Sequence, residues 1–311
     1  MDNLIIRTFF NRIFENYFKV KVKKNLLSDE EWSYLHEQSP AKNNSSHWDK
    51  YLEYIKIDFI EGEKVNLIQI EQLGLADLTK LTIRNILIDL LSIIRNVYLY
   101  FKYSRNIKIF IKIVSISILT KRVICFDMIK HGLLISRTKF LFKDEPNKSV
   151  VIIGDGFGFL GILIKTLNPS LQICYVNLRK NLFLDLLFYK IYFGHKFISP
   201  KIIDAASFTS FPNDATIIFN VASFAEMTEN SINQYLEGIQ KTERLCVSLN
   251  RQGKKHPNGD YLNLNACFDK YSPNYLLNSK NVQWYSKFPT NKFCPAFLPF
   301  DGPIDLKVFK I

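Results

Sequence analysis

The chain has 311 residues, 41 Lys and Arg, 29 Asp and Glu, and a formal net charge of +12. That length allows two domains or one large one, with a core that needs no disulfide or metal staple. At 47% hydrophobic and 23% charged residues the composition is globular rather than disordered, and 12 Gly with 11 Pro exclude a collagen-like or linker-dominated chain.

The five cysteines (Cys125, Cys174, Cys246, Cys267 and Cys294) are scattered and form no C-x-x-C pair. They fit free buried thiols in a reducing compartment better than a zinc ribbon or a thioredoxin-type site. None of His36, His47, His131, His195 and His256 lies at metal-ligand spacing from another, so no metal is expected. The N-terminus lacks the pattern of a secretory signal. The longest apolar-looking stretch, Ile107 to Leu119, is interrupted by Lys108 and Lys112. It falls short of the ~20 residues of a bilayer span. A soluble, cytoplasmic protein is expected.

The positive charge is unevenly placed. Residues 95–143 hold eleven Lys and Arg against one acid, Asp127, whereas residues 144–311 hold eighteen against fourteen acids. A segment of that kind suits an anionic partner: a membrane surface, a nucleotide-activated sugar, a phosphate backbone or an acidic protein. It also suits a merely solvated helix face. Abundant Ile, Asn, Lys and Phe together reflect AT-rich coding, which weakens the nucleic-acid reading.

Before residue 145 the signals are helical. Ser28 and Glu31 form a capping-box pair that opens a short helix. Residues 39–48 read as a loop. Residues 76–103 carry Leu78, Leu81, Ile86, Leu90, Ile93, Ile94 and Val97 at the spacing of a buried helical face, and residues 121–142 do the same with Phe126, Ile129, Leu133 and Leu134. His131 on that helix reads as a core residue. The polar run 143–148, with Pro146, is a boundary. Residues 1–144 are thus expected to be a mainly α-helical region, covering the site or making a dimer.

Residues 145–311 alternate strand and helix. Strands are expected at 149–153, 171–176, 201–203, 215–221 and 245–249, and helices at 159–167, 180–193 and 228–240, the last capped by Thr228. Aromatic residues of the second helix, such as Phe183 and Phe188, read as core. Such βαβ units imply a parallel sheet with helices on both faces. Late strands at 282–287 and 304–311 leave no room for a helical crossover, so one of them runs antiparallel.

The sharpest local signal is Gly154-Asp155-Gly156-Phe157-Gly158-Phe159-Leu160-Gly161, placed where a strand turns into a helix. Glycines let the backbone turn tightly and approach a ligand, and the following helix aims its first amides at it. Gly156-x-Gly158-x-x-Gly161 fits the dinucleotide fingerprint. Gly154-x-Gly156-x-Gly158 fits the turn that holds S-adenosylmethionine in Rossmann-like methyltransferases. At the end of the second strand stands Asn177, where both classes usually place an acid for ribose hydroxyls. The missing acid weakens the dehydrogenase reading more. The closing strand pair favours class I methyltransferases over standard dinucleotide domains.

Residues 217–228, Ile-Ile-Phe-Asn-Val-Ala-Ser-Phe-Ala-Glu-Met-Thr, and 247–251, Val-Ser-Leu-Asn-Arg, carry a resemblance. They resemble the sugar O-methyltransferases of bacterial surface-polysaccharide gene clusters. In that family a strand ending in Asn leads into Ser-Phe-x-Glu-Met, and a later strand ends in Leu-Asn-Arg. The glycine turn and Phe126-Asp127-Met128 fit the same pattern. The resemblance spans about residues 120–311 and departs from the family at Asn177, where an Asp is commoner.

The resemblance implies methyl transfer from S-adenosylmethionine to a sugar hydroxyl of a glycan or of a nucleotide- or lipid-linked sugar. The cofactor residues it implies are Gly154, Asp155, Gly156 and Gly158 in the turn, Asn177 at the ribose, Asp204 and Ala205 near the adenine, and Asn220 and Ser223 at the methionine end. The implied catalytic or substrate-binding residues are Glu226, Arg251 and His256. Each has a plainer alternative. Asp155 is also read as a solvated turn residue and Asp204 as an ordinary strand-end acid. Glu226 is also read as a helix N-terminal acid, Arg251 as a surface cation and His256 as a mobile-loop residue. Two rival functions share the sequence: a nicotinamide-dependent oxidoreductase, and a basic binding module that kept the fold without the chemistry. Membrane contact through residues 95–143 and homo-oligomerisation are further expectations.

Overall fold

The structure is a computed structural model. It describes residues 20–23, 26–34, 56–59, 64–68, 83–120, 122, 124–142, 149–194, 197–242, 244–255, 261–280, 282, 284 and 304–311. The expected loop at 39–48, the break at 143–148 and Cys294 lie outside these residues.

The C-terminal half is built on a seven-stranded sheet. Its parallel strands are β4 (Ser149–Ile153), β5 (Gln172–Asn177), β6 (Lys201–Asp204), β7 (Ala215–Val221) and β8 (Leu245–Arg251). Two late strands, β11 (Asn274–Ser279) and β12 (Ile304–Lys310), complete it in the order β11-β12-β8-β7-β4-β5-β6. β12 pairs antiparallel with both β8 and β11 and is the one reversed strand. This is the expected mostly parallel, Rossmann-like sheet, with an antiparallel strand from a C-terminal hairpin. The partner of β12 is not 282–287, however. It is 274–279, Asn-Tyr-Leu-Leu-Asn-Ser, an edge strand whose residues are alternately exposed and half-buried.

Successive strand residues serve opposite faces. Val150 and Ile152 of β4 enter one core, Val151 and Ile153 the other. The first core is roofed by α5 (Phe159–Leu167) and α6 (Arg179–Phe193), the second by α7 (Glu229–Gln240) and α8 (Leu264–Asp269). Residues Phe159 to Lys165 of α5 are all buried because a further layer covers that helix. The layer consists of α3 (Ile107–Leu119) and α4 (Phe126–Thr138), with α2 (Ile83–Tyr103) packed on α4. Ile113, Ile129 and Leu134 are fully buried there and belong to the first core. Phe183 and Phe188 are core, as expected, and Cys125, Cys174, Cys246 and Cys267 are free, buried thiols.

The N-terminal half departs from expectation in three ways. It holds a small antiparallel sheet of β1 (Val20–Lys23), β2 (Lys56–Phe59) and β3 (Lys64–Ile68), in the order β1-β3-β2. The segment 107–119 is a helix in its own right, capped by the Asn106 side chain on the Ile109 amide at 3.3 Å. Among the described side chains of α2, Asn96, Leu99 and Tyr100 are buried while Ile94 faces outward; the side chains of Ile86 and Leu90 lie outside the described set. Asn96 is buried because its Nδ2 donates to the Ile124 carbonyl at 3.1 Å, a tertiary bond that periodicity does not show. The capping box at Ser28 and Glu31 does open the short helix α1 (Asp29–Ser33). A hairpin of β9 (Gly253–Lys255) and β10 (Tyr261–Asn263) follows β8.

Candidate functional site

The chain reverses its winding between β4 and β7, which opens a crevice at the carboxyl ends of the strands. The glycine turn forms one wall. Gly154, Gly156 and Gly158 have φ of +71°, +83° and +67°, a region that disfavours side chains. A Cβ on Gly154 would land on Ser223 Oγ, and one on Gly158 would lie 2.7 Å from the Asp185 carbonyl. The turn is tied to β5 by the Gly154 amide, which donates to the Val176 carbonyl at 2.9 Å.

Beneath the turn lies a buried polar cluster. Asp155 turns its carboxylate inward: Oδ1 accepts the Leu160 amide at 3.0 Å and Oδ2 the Gly161 amide at 2.9 Å, capping α5. Burial pushes its pKa up to about 6, against the pull of those amides and of Arg122. Asp185, from the middle of α6, is fully buried. Its Oδ1 accepts the Gly158 amide at 2.7 Å and its Oδ2 the Asn177 side-chain amide at 3.0 Å. Burial first, then the charge on Asp155, hold this carboxyl well above the usual range. Arg122 enters from the N-terminal half. Its Nη1 donates to the Phe157 carbonyl at 2.9 Å, and its guanidinium lies 4.2 Å from the Phe188 ring centroid. Burial lowers its pKa to about 10. His131 is buried as expected and stacks on Phe159; burial lowers its pKa to about 3.

The opposite wall is the turn after β7. Asn220 Oδ1 accepts the Phe224 amide at 2.9 Å, and Asn250 Oδ1 accepts the Ala225 amide at 3.4 Å. The two side chains also bond each other, Asn250 Nδ2 donating to Asn220 Oδ1 at 2.9 Å. Ala222 is forced to a φ of +61°. Two asparagines from adjacent strand ends therefore shape one turn, and that turn presents Ser223 and Glu226 to the crevice. The paired Asn-x-x-Ser-Phe-x-Glu-Met and Leu-Asn-Arg segments are thus one physical unit.

The crevice, taken with the open solvent at its mouth, spans about 720 Å³. Of the residues the sequence nominated, Gly154, Gly156, Asn177, Ala205, Ser223 and Glu226 line it together. Asp155, Gly158 and Asn220 support its walls from behind. Asp204 is engaged elsewhere: Oδ2 accepts Arg179 Nε at 2.7 Å, and Oδ1 caps the following turn at Ala206. Arg251 ends β8 opposite Ile304, half-buried and outside the lining. His256 lies outside the described residues.

The lining also includes Asn181, Gln234 and Tyr235, which no sequence motif marks, and Met227, which the Ser-Phe-x-Glu-Met segment contains without a role assigned to it. Asn181 had a findable signal, since it stands one helical turn after Asn177, at the start of α6. Its Nδ2 donates to Asn177 Oδ1 at 3.3 Å, and its own buried Oδ1 has no protein partner.

These features suit a nucleoside-bearing cofactor. Two side-chain-free glycines let the backbone come close, apolar Leu178, Ala205 and Met227 offer contact area, and Asn177 and Asn181 offer polar groups. No group of three or more His, Cys, Asp or Glu able to hold a metal occurs among the described residues. No helix among them is long and apolar enough to cross a membrane.

No protein-family model matches the chain, and no curated protein matches it. Solved structures do resemble it. Magnesium protoporphyrin IX methyltransferase from Synechocystis, with bound SAM, aligns at 9% identity over 58% of this chain and 80% of its own, with a TM-score of 0.41. Geranyl diphosphate C-methyltransferase from Streptomyces coelicolor, in complex with S-adenosyl-L-homocysteine, aligns at 11% identity over 58% and 80%, with a TM-score of 0.41. A SAM-dependent methyltransferase from Aquifex aeolicus aligns at 13% identity over 56% and 88%, with a TM-score of 0.36.

Proposed function

We propose that the protein is an S-adenosylmethionine-dependent methyltransferase, and that its acceptor is a hydroxyl of a glycan or activated sugar in surface-polysaccharide synthesis. One observation carries the first part. The Gly154–Gly156 turn and the Ser223–Glu226 turn face each other across the crevice at the winding reversal of the sheet. The sugar acceptor rests on the resemblance of residues 217–228 and 247–251.

When bound, S-adenosylmethionine supplies a methyl group on a sulfonium that leaves as a neutral thioether. The protein's own tasks are positional. Gly154 and Gly156 admit the cofactor backbone-close. Asn177 and Asn181 would hold its ribose hydroxyls. Ala205 and Met227 would flank the base, and Ser223 the amino-acid end. Glu226 is the one carboxylate among the described lining residues, placed to accept the acceptor's hydroxyl proton as the new C–O bond forms. Holding the hydroxyl in line with the methyl group accounts for much of the expected acceleration.

A nicotinamide dinucleotide reading keeps one observation. Gly161 lets α5 close onto Tyr175, the close helix–strand packing assigned to the third glycine of that fingerprint. Calorimetric titration with S-adenosylmethionine, S-adenosylhomocysteine, NADH and NADPH separates the two. Micromolar binding of the sulfur pair, abolished by Gly156→Val, is expected. Binding of NADH or NADPH alone would overturn the proposal, and binding of none would favour the non-catalytic module. The acceptor is tested with radiolabelled S-adenosylmethionine and panels of nucleotide sugars and lipid-linked glycans. Glu226→Gln should lower kcat while leaving S-adenosylhomocysteine affinity unchanged.

A further inference from the structure

Helices α2 and α3 turn apolar stripes outward. On α2 the stripe is Leu91, Ile94, Tyr98 and Phe101; on α3 it is Ile107, Ile111 and Ile118. Each set recurs at three, four or seven residues and so occupies one helix face. These side chains are 40% to 66% exposed. The stripes converge where Phe101 meets Phe110, with ring centroids 4.8 Å apart. Lys102, Arg105 and Lys108 stand exposed at the elbow between the helices. Residues 91–126 as a whole contain seven Lys and Arg and no Asp or Glu.

A contiguous apolar patch of this kind marks an interaction surface, and the charge pattern selects the partner. A nucleic acid would use the cations and leave the isoleucines in water. A second copy on a two-fold axis would set this surface against itself, cation facing cation with no acid to relieve them. An anionic bilayer uses both features. Isoleucine and aromatic side chains sink into the headgroup–acyl boundary, while Lys stems lie along it and their ammonium groups reach the phosphates.

We propose that the α2–α3 elbow is a docking face for an anionic lipid surface, with the helices lying in the interface rather than crossing it. α3 alone, with 13 residues, offers about 20 Å of contact. The inference does not depend on the methyl-transfer reading.

The test is flotation of the full chain with vesicles of phosphatidylcholine alone or mixed with phosphatidylglycerol. The protein should float with the mixed vesicles only, and less as salt rises. At roughly fivefold per cation, the triple variant Lys102→Gln/Arg105→Gln/Lys108→Gln should partition about a hundredfold more weakly. Ile111→Ser/Ile118→Ser should weaken partition by about tenfold or more. Thermal unfolding should be unchanged in both, because the substituted side chains are exposed. Three outcomes would overturn the proposal: no partition into the mixed vesicles, equal partition of the variants, or a dimer by light scattering that Ile111→Ser/Ile118→Ser dissociates.

Discussion

Asp185 is the residue on which the glycine turn most depends, although it lines no part of the crevice. Both of its oxygens act as acceptors, one for the Gly158 amide at 2.7 Å and one for Asn177 Nδ2 at 3.0 Å. Replacement by Ala strips two buried donors of their partner. At about 1–3 kcal/mol for each unsatisfied group, the loss is roughly 2–6 kcal/mol, a large share of the stability of an ordinary domain. Replacement by Asn is gentler but not neutral. An amide offers one acceptor oxygen, so its NH2 must face either the Gly158 amide or Asn177 Nδ2. Asn177 cannot simply flip to help, because its Oδ1 already accepts the Leu178 amide at 3.0 Å and Asn181 Nδ2 at 3.3 Å. One donor is therefore left facing a donor, which costs about 2–3 kcal/mol. Urea denaturation at neutral pH reads both variants. Calorimetry should show S-adenosylhomocysteine binding weakened in each, since Gly158 follows the two glycines that line the crevice. The reasoning fails if Asp185→Asn and Asp185→Ala both unfold within about 0.5 kcal/mol of wild type, the scatter of neutral surface changes.

Three further predictions follow from the same geometry. Gly154→Ala combines a φ of +71° with a Cβ placed on Ser223 Oγ. It should destabilise by more than the about 1–2 kcal/mol of the backbone alone, and Ser223→Gly in the same chain should recover the excess in urea denaturation. Asn220→Ala and Asn250→Ala should be non-additive, with a coupling of about 1–2 kcal/mol in a double-mutant cycle, because the two share a 2.9 Å hydrogen bond and one turn. Asp155, raised to about 6, holds more protons in the folded than in the unfolded chain between pH 4 and pH 6. Its contribution should therefore fall as pH rises through that window, by up to about 3 kcal/mol for a shift of two units. Denaturation midpoints across this range should show the fall, and Asp155→Asn should reduce it, the remainder coming from Asp185, whose buried carboxyl is also held high; stability that instead rises with pH would contradict the assignment.

What the sequence made legible follows a physical divide. The strands Ser149–Ile153 and Ala215–Val221 could be read because central parallel strands are apolar on both faces. The glycine turn could be read because only glycine accepts three positive φ values in five residues. Side-chain commitment was not legible. Asp155 and Asp204 stand where ligand contacts were expected, yet each spends its carboxylate on a helical turn that begins beside it. The acid missing at position 177 has a counterpart in Asp185, eight residues on and buried under the turn, where it organises Asn177 and Gly158 together. Nothing in a linear pattern says that a mid-helix Asp faces inward, because its partners come from a strand end and a loop. The edge strand Asn274–Ser279 is illegible for a related reason: its two adjacent leucines break the alternation that marks a half-buried strand, although its residues are alternately exposed and half-buried. Residues that make a ligand site are chosen by what the rest of the fold leaves unpaired, and Asn181 shows this directly. Its Oδ1 lies unpartnered beside Asn177 in the crevice, so on the proposed reading Asn181→Leu should weaken S-adenosylhomocysteine binding by about tenfold, the worth of one neutral hydrogen bond. Unchanged affinity in a folded Asn181→Leu protein would remove the residue from the site.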